Sequence, residues 1–182
     1  MKKALLVIDY TNDFIALDGA LSCGQSGLDL ESEILKLADD FLMNGDYVIF
    51  PTDCHFLNDS THPENKLFPP HNIKGTFGQE LYGQIKTWYE KHKDDDHVYY
   101  FEKNRYSSFQ NTNLDNFLRC HKIEQLYLSG VCTDICVLHT AIYAYNLNYQ
   151  LTIPENAVAS FDPVGHKWAL NHFKNTLGAQ II

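Results

Sequence analysis

Six short apolar runs alternate with segments of helical periodicity along this chain, and that alternation leaves few folds open. The runs cover residues 4–9, 47–53, 98–103, 125–130, 149–153 and 179–182. Helical patterns fall at 29–43, 79–91, 112–121, 133–147 and 164–175. The clearest is 29–43, where Leu30, Ile34, Leu37, Ala38, Phe41 and Leu42 form one stripe and Asn44-Gly45 supplies the stop. Strand–helix alternation of this kind predicts a doubly wound parallel sheet of about six strands with helices on both faces. The 182 residues fit one α/β domain, 1–182, long enough to bury a substantial core. In such sheets ligands bind beyond the carboxyl ends of the strands, where the strand order reverses.

Those carboxyl ends carry the chemistry. The first strand delivers Asp9, the second Asp53 and His55, and the third Lys103, while the fourth leads through a turn at Gly130 to Cys136. One ionisable group at a strand end is ordinary, but four sets compatible with one mechanism are hard to explain as solvated loop charges. Cys136 is expected in the first turn of a helix opening near Thr133, where free N–H groups and the helix dipole favour a thiolate and could hold an oxyanion. The competing reading is a cysteine packed on a helix face. Asp9 can take the thiol proton and later return it to a leaving amine, and Lys103 favours the ionised form of both. Taken singly, Asp9 reads equally well as a turn residue or helix cap and Lys103 as a surface partner of Glu102.

Asp53, His55, Glu64 and His71 read as a metal site. In D-x-H both side chains leave the same side of an extended segment, so the intervening Cys54 should face away. The proline-stiffened loop that follows adds nitrogen and oxygen donors, with His62 competing with His71 as a ligand. Two histidines with one or two carboxylates suit one divalent metal, zinc, iron or manganese, and do not select among them. The absence of thiolate ligands points to a catalytic or binding metal.

The remaining composition excludes other classes. A net charge of −9 argues against nucleic acid or an anionic membrane surface as partner. The five cysteines are odd in number and lack a C-x-x-C pair, so neither a disulfide framework nor a zinc knuckle is indicated. Asp9 interrupts the apolar run behind Lys2-Lys3 too early for a signal peptide, and no stretch has the length of a membrane span, which predicts a cytoplasmic protein. The first strand–helix turn has no G-x-G-x-x-G, which disfavours a dinucleotide binder.

Five ordered segments carry a resemblance: DYTNDF (9–14), TDCH (52–55), FPPHNIKGTFG (68–78), EKNRYSSF (102–109) and SGVCTDICV (129–137). Together they resemble the isochorismatase-like cysteine hydrolases and, within them, the nicotinamidases. The resemblance implies a triad of Asp9, Lys103 and Cys136, and a divalent metal on Asp53, His55 and His71, with Glu64, that binds the pyridine nitrogen of nicotinamide. It also implies a cis peptide at Val131–Cys132 and an oxyanion held by the backbone N–H groups of Cys132 and Cys136. Phe14, Phe68 and Tyr106 adjoin these motifs as candidate walls for a flat aromatic substrate, nicotinamide or pyrazinamide, with ordinary core packing as the competing reading. Self-association into a homo-oligomer is left open.

Three positions depart from the family pattern. Thr11 stands where glutamine is usual, Phe68 and Asn72 replace tryptophan and cysteine, and Cys132 replaces alanine. Cys132 and Cys136 are therefore expected to approach each other. The implied activity is hydrolysis of nicotinamide to nicotinate and ammonia through a cysteine thioester, in NAD salvage. Alternatives are a related amidohydrolase acting on a carbamoyl or ureido substrate and a non-catalytic small-molecule binder of the same fold. A complete proton relay argues against the binder.

Overall fold

Ala4 to Ile8 are buried without exception, and neighbouring residues pack into different cores. Ala4, Leu6 and Ile8 join one apolar cluster, whereas Leu5 and Val7 join the other. Strand side chains alternate in direction, so a strand buried along its whole length needs cover on both faces. The computed structural model describes residues 2–182; Met1, the first position of the expected domain, lies outside the described residues.

The strands are β1 (Lys2–Ile8), β2 (Tyr47–Asp53), β3 (Val98–Lys103), β4 (Ile123–Val131), β5 (Gln150–Ile153), β6 (Val158–Ala159) and β7 (Gln180–Ile181). They form one sheet in the order β3-β2-β1-β4-β5-β7, with β6 pairing to the end of β4. Every ladder among the described residues is parallel. The order reverses between β1 and β4, which places the expected ligand crevice beyond their carboxyl ends. All six predicted runs are strands: β2 and β3 have the expected bounds, and the others differ by at most two residues at an end. The seventh, β6, has two residues in a stretch with no apolar run long enough to read as a strand.

The helices are α1 (Asn12–Ile15), α2 (Gln25–Leu28), α3 (Glu31–Met43), α4 (Gly83–His92), α5 (Leu114–Cys120), α6 (Leu138–Asn146) and α7 (Pro163–Asn175). Ile34, Ala38 and Phe41 of α3 and Ile85 and Trp88 of α4 pack with Leu5 and Val7. Leu114 and Leu118 of α5, Ala141 and Ala144 of α6, and Ala169 and Phe173 of α7 cover the opposite face. The expected stop of α3 is realised: Asn44 caps it and Gly45 follows with φ +70°.

Two helical patterns divide in the structure. The 79–91 pattern becomes a 3₁₀ turn, Phe77–Gln79, and then α4, because Gly83 at φ +54° breaks the helical path. Glu31 Oε1 accepts the Gln84 N–H there at 2.7 Å. The 133–147 pattern opens as a π-helical turn, Thr133–Val137, before α6 begins. Val137 N–H reaches the Cys132 carbonyl at 3.2 Å, the wide span that defines such a turn. No helix is long and apolar enough to cross a membrane, among the described residues.

Candidate active site

Close approach of two strands sets the floor of the crevice. A Cβ on Gly130, whose φ is +101°, would lie 2.0 Å from the Ile8 carbonyl oxygen, so only glycine lets β4 run this near to β1. The next residue after β1 is Asp9, fully buried and left-handed at φ +55°. Aspartate tolerates that conformation better than most residues, and the reversal turns its carboxylate across the strand ends. Asp9 Oδ1 accepts the Asp53 N–H at 2.8 Å.

Lys103 closes β3, in register with Asp53 of β2. Its ammonium lies 2.8 Å from Asp9 Oδ2, 3.6 Å from Asp53 Oδ1 and 3.6 Å from Cys136 Sγ. It also donates to the Arg105 carbonyl at 3.2 Å. The structure therefore brings Asp9, Lys103 and Cys136 together. Lys103 is no surface partner of Glu102, whose carboxylate binds Lys74 and Gln79 instead.

Burial dominates the charge balance of this trio. It pushes Asp9 up to about 6, further than Lys103 can pull it down, with the Asp53 charge adding to the rise. Burial opposes the Lys103 charge, yet Asp9, Cys136 and Asp53 outweigh it and hold the ammonium well above its usual range. Cys136 departs from the expectation of an easily ionised thiol. Burial pushes it well up, Lys103 pulls against that rise, and the Asp9 and Asp53 carboxylates add to it. In the resting protein the proton stays on sulfur, within hydrogen-bonding reach of Asp9. A thiol held this way reacts as a nucleophile only when a base takes its proton, and the Asp9 carboxylate is the basic group beside it.

Asp53, His55, Glu64 and His71 form a second buried group whose donor atoms all lie within 4.8 Å of one another. His55 Nε2 is 2.7 Å and His71 Nε2 3.5 Å from Asp53 Oδ2, and His71 Nε2 is 3.6 Å from Glu64 Oε2. His71 Nδ1 donates to the Pro69 carbonyl at 2.8 Å, which aims Nε2 into the cluster. Burial works against the His71 charge, but the hydrogen bonds to Asp53 and Glu64 prevail and hold the ring at about 10. Such a cluster favours positive charge, and two carboxylates with two imidazoles fit a divalent cation in place of that proton. Cys54 sits with Glu102, away from the cluster, as the D-x-H alternation requires.

His62 lies outside the ligand group. Its Nε2 donates to the Asn104 carbonyl at 2.7 Å, leaving Nδ1 to accept the Glu64 N–H at 3.4 Å. It caps the 3₁₀ turn Pro63–Lys66 and so orients Glu64. Two departures from the family pattern also meet here, since the Thr11 hydroxyl donates to Asn72 Oδ1 at 2.9 Å. Asn72 is left-handed at φ +44°, its N–H donates to Asp13 Oδ2 at 2.7 Å, and its carbonyl accepts the His55 N–H at 2.9 Å.

A narrow cleft joins Cys136 to the metal-type cluster. Phe14, Phe68 and Tyr106 line it, together with Leu21, Ile135 and Phe161. Phe161 escaped the sequence reading because it follows β6, the strand too short to detect. Leu21 escaped because the two four-residue helices around it have no legible period. The Val131–Cys132 peptide is cis, as the resemblance implied, and Cys132 lines the cleft. Its thiol does not seek Cys136 as expected; it lies 3.5 Å from Cys23 Sγ.

Comparisons with known proteins find relatives along the whole chain. The isochorismatase domain model matches residues 3–182. The crystal structure of a nicotinamidase/pyrazinamidase from Bacillus subtilis is 57% identical, with a TM-score of 0.97 over 100% of this chain and 99% of that one. A pyrazinamidase/nicotinamidase from Streptococcus mutans UA159 is 49% identical, with a TM-score of 0.97 and full coverage of both chains (100%). An N-carbamoylsarcosine amidase from Thermoplasma acidophilum is 32% identical, with a TM-score of 0.84 over 100% of this chain and 95% of that one.

Proposed function

The chain belongs to the isochorismatase family, and from that premise we propose that it is an amidohydrolase of the nicotinamidase type, converting nicotinamide to nicotinate and ammonia. Relatives at 57% and 49% identity carry nicotinamidase and pyrazinamidase activity in their names, which supports a linear amide on an aromatic ring as substrate. The observation that carries the reading is the junction of two sites in one aromatic cleft. At one end is Cys136, backed by Lys103 and Asp9; at the other is the buried group that can hold a cation.

Asp9 takes the Cys136 proton as sulfur attacks the carboxamide carbon, and Lys103 balances the negative charge that moves between them. The carbonyl oxygen, now an anion, is received by the backbone N–H groups of Cys132 and Cys136. Asp9 then gives its proton to the departing ammonia, which leaves a thioester on Cys136. Asp9 next takes a proton from water as it attacks the thioester, and nicotinate departs as the thiol is restored. Asp53, His55, Glu64 and His71 would hold a divalent cation, zinc before iron or manganese, which would supply a Lewis acid for the ring nitrogen. Phe14, Phe68 and Tyr106 restrict the ring to the plane in which its amide faces Sγ. The setting we infer is cytoplasmic, in NAD salvage.

The direct test is release of ammonia and nicotinate from nicotinamide, run beside pyrazinamide and N-carbamoylsarcosine. Turnover of the two aromatic carboxamides with little of the carbamoyl compound is expected. Preference for the carbamoyl compound would move the assignment to that branch of the family. Binding of nicotinamide without turnover of any substrate would favour a non-catalytic binder.

A further inference from the structure

The proposed reaction uses one thiol, yet a second and third lie in contact beside it. Cys23 and Cys132 are both buried, and their sulfur atoms are 3.5 Å apart although 109 positions separate them in sequence. Elsewhere Cys120 is exposed, and Cys54 sits beside Glu102. Cys132 faces the cleft that leads to Cys136, so a small solute entering as substrate would reach it. Cys23 is anchored by its N–H to the Phe14 carbonyl at 2.8 Å, in the segment that also presents Leu21 to the cleft.

We propose that Cys23 and Cys132 are a reversible disulfide-forming site in the cleft wall, closed by a peroxide. Cys132 sulfur attacks hydrogen peroxide, the O–O bond breaks, and a sulfenic acid forms with release of water. Cys23 sulfur then attacks the sulfenic sulfur, the S–O bond breaks, and a second water leaves. Two thiols are oxidised by two electrons and one peroxide is reduced to two waters. A hydrogen bond with Cys23 and burial hold the Cys132 proton tightly, so closure is slow at neutral pH and quickens as pH rises.

Closure has a cost for the site. A disulfide needs about 2.05 Å between sulfurs, against 3.5 Å here, so the two side chains turn toward each other and draw the Cys23 segment and the turn carrying Cys132 together. The first carries Leu21 and the second carries a peptide proposed to receive the oxyanion, so we expect activity to fall. This activity arm rests on the function proposed above, whereas the cross-link does not.

The full-length protein is treated with hydrogen peroxide, capped with an alkylating reagent and digested without reductant. Mass spectrometry is expected to find a Cys23–Cys132 cross-linked peptide that dithiothreitol removes, with two fewer alkylated thiols per chain. Cys136→Ala should still form it, which separates the site from loss of the catalytic thiol. Cys23→Ser, with Cys23→Ala as a second form should serine be poorly tolerated in that apolar contact, should lack both the cross-link and the reversible part of inactivation. A Cys132–Cys136 cross-link instead, or oxidation of Cys136 while Cys23 and Cys132 remain fully alkylated, would overturn the proposal.

Discussion

At the residue scale, the two halves of the site should fail differently. Cys136→Ala removes the proposed nucleophile but touches no cluster donor, so turnover should fall at least about a thousandfold while metal content and nicotinamide affinity persist. His71→Ala removes a donor. Cation affinity should drop by more than about 100-fold, and the Michaelis constant for nicotinamide should rise with it. Benzamide, which lacks the ring nitrogen, should be a poor substrate of the parent and lose far less in His71→Ala. Metal analysis with steady-state kinetics on both amides checks this. Full metal content and unchanged nicotinamide kinetics in His71→Ala would refute the ligand set.

The pH profile belongs to the same scale. Asp9 must be ionised to accept the thiol proton, and burial holds it at about 6. The rate should therefore decline as pH falls through that region, well above the ordinary carboxylate range near 4. A cation loaded on the neighbouring cluster adds positive charge and should shift this limb to lower pH. Two interacting ionisations suggest a bell, but Cys136 and Lys103 are both held above their ordinary values. The alkaline limb should thus lie beyond the range of a free thiol. The measurement is kcat/KM against pH, and an acid limb near 4 that metal loading does not move would count against Asp9 as the base.

At the scale of elements, the β1–β4 pair is the most sensitive part of the scaffold. Gly130→Ala would drive a Cβ into the Ile8 carbonyl in a backbone conformation that disfavours any side chain. Unfolding in denaturant should show a loss of roughly 3 kcal/mol or more, with activity falling because Asp9 follows Ile8 directly. A loss below about 1 kcal/mol would mean that the strands separate easily at this end. The turn after β4 is held from α7: His166 Nδ1 lies 2.8 Å from the Thr133 hydroxyl, and Gly165 leaves room for the Asp134 carboxylate. Legibility followed element length. Helix α3 was readable because its stripe persists over 13 residues. The π-helical turn was not, because the same apolar spacing continues smoothly into α6 and only hydrogen-bond geometry separates the two.

At the scale of the molecule, the cluster ties the end of β2 to the loop that carries Glu64 and His71, so cation binding and folding are linked. Free cation at about 100 times its dissociation constant should contribute roughly 2.7 kcal/mol. Chelation should lower the melting temperature and re-addition should restore it; a melting temperature indifferent to chelator would place the cation outside the folded site. The doubly wound sheet, the strand ends that carry Asp9, Asp53 and Lys103, and the D-x-H alternation were all determined by sequence alone. These depend on periodicities of two and 3.6 residues and on local chain direction, which neighbouring residues set. Only tertiary structure decided the rest: that His71 joins the cluster while His62 caps a turn, that Cys132 meets Cys23 and not Cys136, and that burial holds the Cys136 thiol above its ordinary range. Each of these turns on contacts between distant segments or on exclusion of water, and neither is encoded in the spacing of residues along the chain.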